Sequence, residues 1–167
     1  MLVYFFRLPQ RIPSKNLNNK IIIAPCDGIV KEISTTNNNM LKITIVLSIF
    51  DVHVQWYPVH GKIRNIIYKK GQFNLAHCLE KSKYNERLST IIQNEYGVIR
   101  LDQIAGQVAR RIVNWSIINT KVQRGNLMGM IKLSSRVDMY LPKHKIKCLV
   151  KENDRIKGKL SKIAIWK

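Results

Sequence analysis

A mostly β fold is what this sequence predicts: a single compact sandwich- or barrel-like domain with barrel-sandwich-hybrid character and few short helices. Three observations carry that expectation. Ile, Val and Thr recur in short runs broken by Gly, Pro, Asn and Asp, the types that suit pleated strands alternating with the types that interrupt them. Segments with helical periodicity are scarce. The chain has 167 residues and is 46% hydrophobic, enough for one real core and too short for two comfortable ones.

Residues 1–20 read as an apolar stub followed by a connector, and residues 21–167 as the domain. Met1 to Phe6 is apolar but meets Arg7, far short of the ~20 apolar residues of a spanning helix. Pro9, Pro13 and the charges from Lys15 to Lys20 make the next stretch an extended linker. Ile21 to Ala24 is the first strand. Pro25-Cys26-Asp27-Gly28 turns the chain, since Asp and Gly tolerate tight-turn geometry, and Ile29 to Ile33 resumes. After Asn37 to Asn39, Leu41 to Phe50 reads as a buried strand, with Val52 to Tyr57 continuing beyond Asp51. Pro58 and Gly61 break it before Lys62 to Tyr68.

Residues 71–89 are polar and fit a loop with at most a short helix. Thr90 to Gln93 and Val98 to Leu101 flank Asn94 to Gly97 as a hairpin. Ile104 to Trp115 fits strand or helix, and Gly125 and Gly129 bracket a turn before Met130 to Leu133. Val137 to Leu141, Lys145 to Val150 and Leu160 to Trp166 are further strands, the last expected to pair with the first. The Asp27-Gly28 turn and the later Asn153-Asp154 to Gly158 stretch together suggest the ends of a barrel-sandwich hybrid.

Lys and Arg number 29 against 10 Asp and Glu, a formal charge of +19. That balance points to an anionic partner, either an acidic membrane face or nucleic acid. The excess of Lys over Arg and the richness in Ile and Asn equally fit compositional drift. Cys26, Cys78 and Cys148 are odd in number, widely spaced and without a C-x-x-C pair, so no disulfide framework or zinc site is indicated.

Four features carry candidate chemistry. Asp27 offers a carboxylate in a tight turn. His53 lies in a strongly apolar run beside Asp51 and Trp56. Arg110 and Arg111 are adjacent guanidinium groups in a buried-looking segment. Ser134-Ser135-Arg136 sets small hydroxyl residues between two strands. Each has an ordinary structural explanation when taken alone.

Taken in order, they sit inside blocks that resemble the phosphatidylserine decarboxylase family in its short prokaryotic form. Phe5-Phe6-Arg7-Leu8-Pro9-Gln10-Arg11-Ile12-Pro13 resembles that family's opening, with Leu8 where Asp is usual. Ala24-Pro25-Cys26-Asp27-Gly28 is similar to its S-P-A-D-G. The run from Leu47 to Gly61 resembles L-S-P-F-D-V-H-V-N-R-x-P-V-x-G, while Asn85-Glu86-Arg87 and Ile104 to Ile112 match further blocks. Arg124-Gly125 and Gly129 to Pro142 resemble the processing segment, with Ser134 where Gly is usual.

The resemblance implies a self-processing decarboxylase that converts phosphatidylserine to phosphatidylethanolamine at a membrane surface. Decarboxylation needs an electron sink, a role usually filled by a cofactor. This family's sink is a pyruvoyl group, here expected from Ser135, with no metal and no pyridoxal phosphate. The Ser134–Ser135 bond would be cut into residues 1–134 and 135–167, the fragments staying associated, and the pyruvoyl would form a Schiff base with the substrate amine. By the same resemblance Asp27 belongs to the self-cleavage relay and His53 does acid–base work. The long forms' second histidine is replaced by Trp56, so two options stay open: His53 serves both steps, or His60, His77 or His144 is the further partner. Arg110, Arg111 and Arg136 are candidates for binding phosphate or carboxylate, since Arg presents a planar fork of donors. The implied location is peripheral, on the cytoplasmic face of the membrane, with no transmembrane helix, and the implied assembly is a homodimer. Two other readings stand beside it. One is a non-catalytic relative serving as a basic module for anionic lipid. The weaker one is a basic β-barrel nucleic-acid binder, which leaves Asp27, His53 and Ser135 without a role, so no nucleic acid is expected.

Overall fold

The computed structural model describes residues 7–12, 17–75, 78–106, 111–131 and 135–167. Strands dominate them. β2 (Gly28–Thr35), β3 (Met40–Leu47), β5 (Gly61–Lys69), β6 (Arg87–Gln93), β7 (Val98–Ile104) and β11 (Ser135–Pro142) are the long ones. With the short edge strands β13 (Arg155–Ile156) and β9 (Lys121–Val122) they form one curled sheet in the order β13-β2-β3-β11-β7-β6-β5-β9. A three-stranded sheet packs β14 (Lys162–Trp166) between β1 (Ile21–Ile23) and β12 (Ile146–Cys148). Another packs β10 (Leu127–Ile131) between β4 (Val54–Trp56) and β8 (Ile112–Asn114).

Alternation explains the layering. Leu41, Ile43, Ile45 and Leu47 of β3 face inward and lie opposite Leu141, Met139, Val137 and Ser135 of β11. Together with Ile22, Ile63, Ile92, Ile99, Leu101 and Trp166 they fill the concave side of the curled sheet. The expected pairing of first and last strands is present as β1 with β14, Ile21 opposite Ile165. The turn after β1 also meets the late loop: Asn153 N–H donates to the Val30 carbonyl, and Val30 N–H to that of Asp154. Gly28 makes this possible. Its φ is +147°, and a Cβ there would sit 2.5 Å from the Val46 carbonyl oxygen.

Several local expectations need correction. The apolar run from Leu41 does not continue to Phe50: β3 stops at Leu47, and Ser48 to Asp51 form a turn closed by Asp51 N–H on the Ser48 carbonyl and Ser48 N–H on Asp51 Oδ2. His53 therefore precedes β4 instead of lying inside a strand. Gly129 is mid-strand in β10, not part of a turn, because a side chain there would strike the Val113 carbonyl and Gln103. Ser135 opens β11 instead of sitting between strands. Ile104 to Trp115 is neither one strand nor one helix. β7 ends at Ile104 and β8 begins at Ile112, with 107–110 outside the described residues. Residues 71–89 do hold a single helical turn, Leu79–Ser82. Among the described residues no helix is long and apolar enough to cross a membrane.

The convex face carries an ionic layer. Asp138 lies directly opposite Asp102 on β7 and Thr44 on β3, and all three are buried. Arg136 donates to Asp138 Oδ2 at 3.0 Å, and Arg100 Nε stands 3.1 Å from Asp102 Oδ1. Burial first, and then the facing Asp138, push the Asp102 carboxyl up from its ordinary value, against the opposing pull of Ser89 and Arg100.

Candidate active site

Asp27 follows β1 in the turn that Gly28 permits, and its carboxylate is saturated. Arg11 grips it as a fork, with Nη2 donating to Oδ2 at 2.7 Å and Nη1 to Oδ1 at 2.5 Å. Gly158 N–H donates to Oδ1 at 2.8 Å, and Val52 N–H reaches Oδ2 at 3.4 Å. Arg11 also bonds the Gly158 carbonyl at 2.7 Å and lies 5.0 Å over the Trp56 ring. Trp56 thus provides the floor for Arg11. Arg11, which the sequence reading left without a role, is the main partner of Asp27. Its place in the opening block beside Pro9 was the available signal.

His53 is fully buried. Its Nδ1 lies 2.8 Å from the Asp51 carbonyl, an acceptor only, so Nδ1 carries the proton and Nε2 is the basic nitrogen of the neutral ring. Burial pushes the imidazole below its ordinary value. The Asp51 carbonyl and the charges of Asp51 and Asp27 oppose that shift, while Arg7 adds to it. Asp51 is itself held at Oδ1 by Arg155 at 2.7 Å. Its adjacency to His53 in sequence was visible, but its function as the ring's anchor required the turn.

Ser135 is paired with Leu47, and Gly28 lies at the same level because Ile29 faces Val46. Asp27 and Ser135 therefore sit at one end of three adjacent strands, about two strand spacings or ~10 Å apart along the sheet. His53 joins them: Val52 N–H bonds Asp27, and the His53 carbonyl accepts the Ile131 N–H at 3.2 Å, four residues ahead of Ser135. Ser135 is 0% exposed, and its Oγ has no hydrogen-bond partner among the described residues. Buried hydroxyls are ordinarily satisfied, so an orphan one at this position is chemically informative.

Ser134, Arg110 and His77 are outside the described residues. Arg111 is exposed just before β8. Arg136 is buried on the convex face, held by Ser82 Oγ at 2.5 Å and by Asp138. His60 and His144 are exposed at the other end of the sheet: His60 lines a small hollow with Asn94 and Tyr96, and His144 follows the last residue of β11. The Asn85 amide donates to the carbonyls of Asn74 and Ala105, tying the loop to the end of β7. Among the described residues no group of three or more His, Cys, Asp or Glu converges on a metal site.

A β-rich chain that brings a buried serine, a buried histidine and a carboxylate to one sheet end has the makings of an enzyme active site. Comparison with known proteins makes this specific. Residues 1–161 match the family model described as Phosphatidylserine decarboxylase. The chain is 38% identical to the "Phosphatidylserine decarboxylase proenzyme" of Carboxydothermus hydrogenoformans, over 97% of this chain and 78% of that protein. It is 40% identical to the "Putative archaetidylserine decarboxylase proenzyme" of Methanosarcina barkeri, over 93% and 72%. It is also 40% identical to the "Phosphatidylserine decarboxylase proenzyme" of Bacteroides thetaiotaomicron, over 85% and 65%. The chain belongs to the phosphatidylserine decarboxylase family and is a decarboxylase of phospholipid biosynthesis.

Proposed function

We propose that the chain cuts itself between Ser134 and Ser135 and then decarboxylates the serine headgroup of phosphatidylserine at a membrane surface. The observation that carries this reading is the buried Ser135 Oγ at the start of β11, unpartnered among the described residues and four residues after Ile131, whose N–H bonds the His53 carbonyl. One relative is named for archaetidylserine in place of phosphatidylserine, so the serine group is the part of the substrate on which the proposal rests.

In the processing step, Ser135 Oγ attacks the carbonyl carbon of Ser134. The Oγ–C bond forms, the C–N peptide bond breaks, and the released amine takes the hydroxyl proton through a base. Loss of the Ser135 α-proton then expels the Ser134 carboxylate from the ester. The resulting dehydroalanine tautomerises to an imine, which takes up water and releases ammonia, leaving a ketone on residue 135. A free hydroxyl is a weak nucleophile, so a base is needed. Neutral His53, its Nδ1 proton fixed on the Asp51 carbonyl, supplies one, with Asp27, gripped by Arg11, as the relay carboxylate. The pyruvoyl group, once made, supplies an electron sink through a Schiff base with the substrate amine. In this reading His53 holds and returns the proton. Exposed Arg111, with Arg110, would meet the phosphate, while Arg136 braces β11 from behind.

Cleavage would leave two interwoven pieces. Residues 135–167 contribute β11 between β3 and β7, β13 beside β2, and β14 beside β1 with β12 on its far side. Gly158 also bonds Asp27 across the cut. The fragments are therefore expected to co-elute until denatured.

The membrane reading is supported by apolar side chains exposed beside the site. Ile49 and Phe50 project at the turn before Asp51, Phe50 being 70% exposed, and its carbonyl accepts from Arg7 at 2.8 Å. Leu8 and Ile12 are exposed on the neighbouring segment, Ile12 at 81%. Inserting a large apolar side chain contributes about 1.5–3 kcal/mol, and each adjacent cation adds ~1 kcal/mol on an anionic leaflet. Phe50→Asp is expected to lower binding to phosphatidylserine vesicles at least tenfold with an unchanged circular dichroism spectrum. Cosedimentation at the wild-type level would contradict this surface.

The self-cleavage rate should be flat from pH 8 down to the ordinary histidine value and fall only below it, because burial holds the His53 imidazole neutral. Folding shares this sign. The stability from burying a neutral ring is present above the free imidazole's value and is lost as pH drops through the lower folded value. A rate already falling between pH 8 and 7 would contradict a neutral imidazole base. The overall reading is tested by denaturing electrophoresis with intact mass, alongside release of ethanolamine lipid from phosphatidylserine vesicles.

A further inference from the structure

We infer that Gln103 is a positioning residue for self-cleavage, holding the His53 carbonyl in place through a chain of three side-chain amides of fixed polarity. The inference rests on the self-processing reading. Gln103 is fully buried on β7, and its neighbour in the chain, Gln55 on β4, is buried with it. Gln55, Gly129 and Asn114 lie opposite one another across β4, β10 and β8. Gly129 leaves a gap in this row, and the Gln103 amide fills it: its Nε2 lies 2.9 Å from where a Gly129 Cβ would stand. From there Gln103 Nε2 donates to Gln55 Oε1 at 2.8 Å, and Gln103 Oε1 accepts from Asn114 Nδ2 at 2.8 Å.

Both ends of the chain are backbone groups whose polarity cannot change. Ser116 N–H donates to Asn114 Oδ1 at 2.8 Å, which turns the Asn114 amide nitrogen toward Gln103 Oε1 and Thr90 Oγ1. At the other end Gln55 Nε2 donates to the His53 carbonyl at 2.6 Å. A donor-only start and an acceptor-only finish leave one consistent orientation for all three amides. The His53 carbonyl is shared, since it also accepts the Ile131 N–H at 3.2 Å. The network therefore ends on the atom that ties His53 to the last residue of β10, where the chain leaves for Ser135.

Side chain–side chain bonds are the minority class in folded proteins, and buried networks of them are costly when half satisfied. An apolar residue at 103 would fill the same volume. What the amide adds is a directed hold on the His53 carbonyl and, through it, on the approach to the scissile bond.

The test is pulse–chase cleavage of the full chain made by cell-free synthesis, at a temperature where circular dichroism shows every variant folded. Gln103→Glu keeps the acceptor for Asn114 but sets a carboxylate against Gln55 Oε1. Cleavage at pH 8 is expected to slow at least tenfold and to recover toward pH 6, where the protonated acid again donates. Wild type does not accelerate over that interval. Asn114→Asp, at a half-buried position, keeps the acceptor for Ser116 and loses the donor to Gln103. It is expected to slow cleavage too, and it carries the test should Gln103→Glu not fold. Variants cleaving at the wild-type rate at pH 8, or a Gln103→Glu defect flat with pH, would overturn the inference alone. A wild-type chain that stays whole would overturn the self-processing reading and this inference with it.

Discussion

Ser135→Ala is expected to leave the chain whole, to abolish decarboxylation, and to leave the fold at least as stable as before. The three outcomes belong together. Ser135 supplies the nucleophilic Oγ of the proposed acyl shift and the carbon skeleton of the ketone, so no other group substitutes for it. Its hydroxyl is buried without a hydrogen-bond partner among the described residues, an arrangement that costs about 1–3 kcal/mol relative to a satisfied group. Removing the oxygen relieves that cost and leaves β11 paired with Leu47 through its backbone. At roughly 2–4 °C per kcal/mol for a chain of this size, the melting temperature should hold or rise by several degrees. Gel electrophoresis, vesicle assays and thermal melts read the three outcomes. A cleaved Ser135→Ala chain would remove this serine from the mechanism. An uncleaved but strongly destabilised one would mean that the hydroxyl serves the fold.

Asp27→Asn should show the opposite profile, losing stability as well as processing. The carboxylate accepts from both Arg11 nitrogens, from Gly158 N–H and from Val52 N–H. An amide presents one oxygen and turns its NH2 toward a donor, stranding the largely buried Arg11 guanidinium. Breaking one side of a buried pair costs about 3–5 kcal/mol, or roughly 6–20 °C at the same conversion. Gly158 lies in the 135–167 fragment, so the two pieces should also separate at lower denaturant. Processing measured where the variant is still folded separates the relay from the clamp. Cleavage slowed about a hundredfold there supports the relay, whereas a wild-type rate reduces Asp27 to a clamp.

The β character was legible because Ile21 to Ile23 and Lys162 to Trp166 are short, apolar, β-branched runs of the kind buried strands show, and the two pair as the first and last strands. The blocks around Asp27, His53 and Ser135 were legible as an ordered set, and the chain's family membership agrees with them. Hydropathy misled at Ile49 and Phe50. Both are apolar enough to extend β3, yet they are exposed at a turn set by Asp51. Gly129 read as a turn residue, since a pattern along the chain cannot show that Gln103 needs the space above it. The Arg11–Asp27 fork and the Gln55–Gln103–Asn114 chain join residues far apart in sequence, and only the folded sheets bring them together.

Self-cleavage is read without any intermediate assay from the intact mass of the purified wild-type chain under denaturing conditions. Two species are expected, residues 1–134 and residues 135–167, the smaller lacking a free amino terminus and reacting with a carbonyl reagent. A single species at the full-length mass, with no ethanolamine lipid formed on phosphatidylserine vesicles, would contradict it.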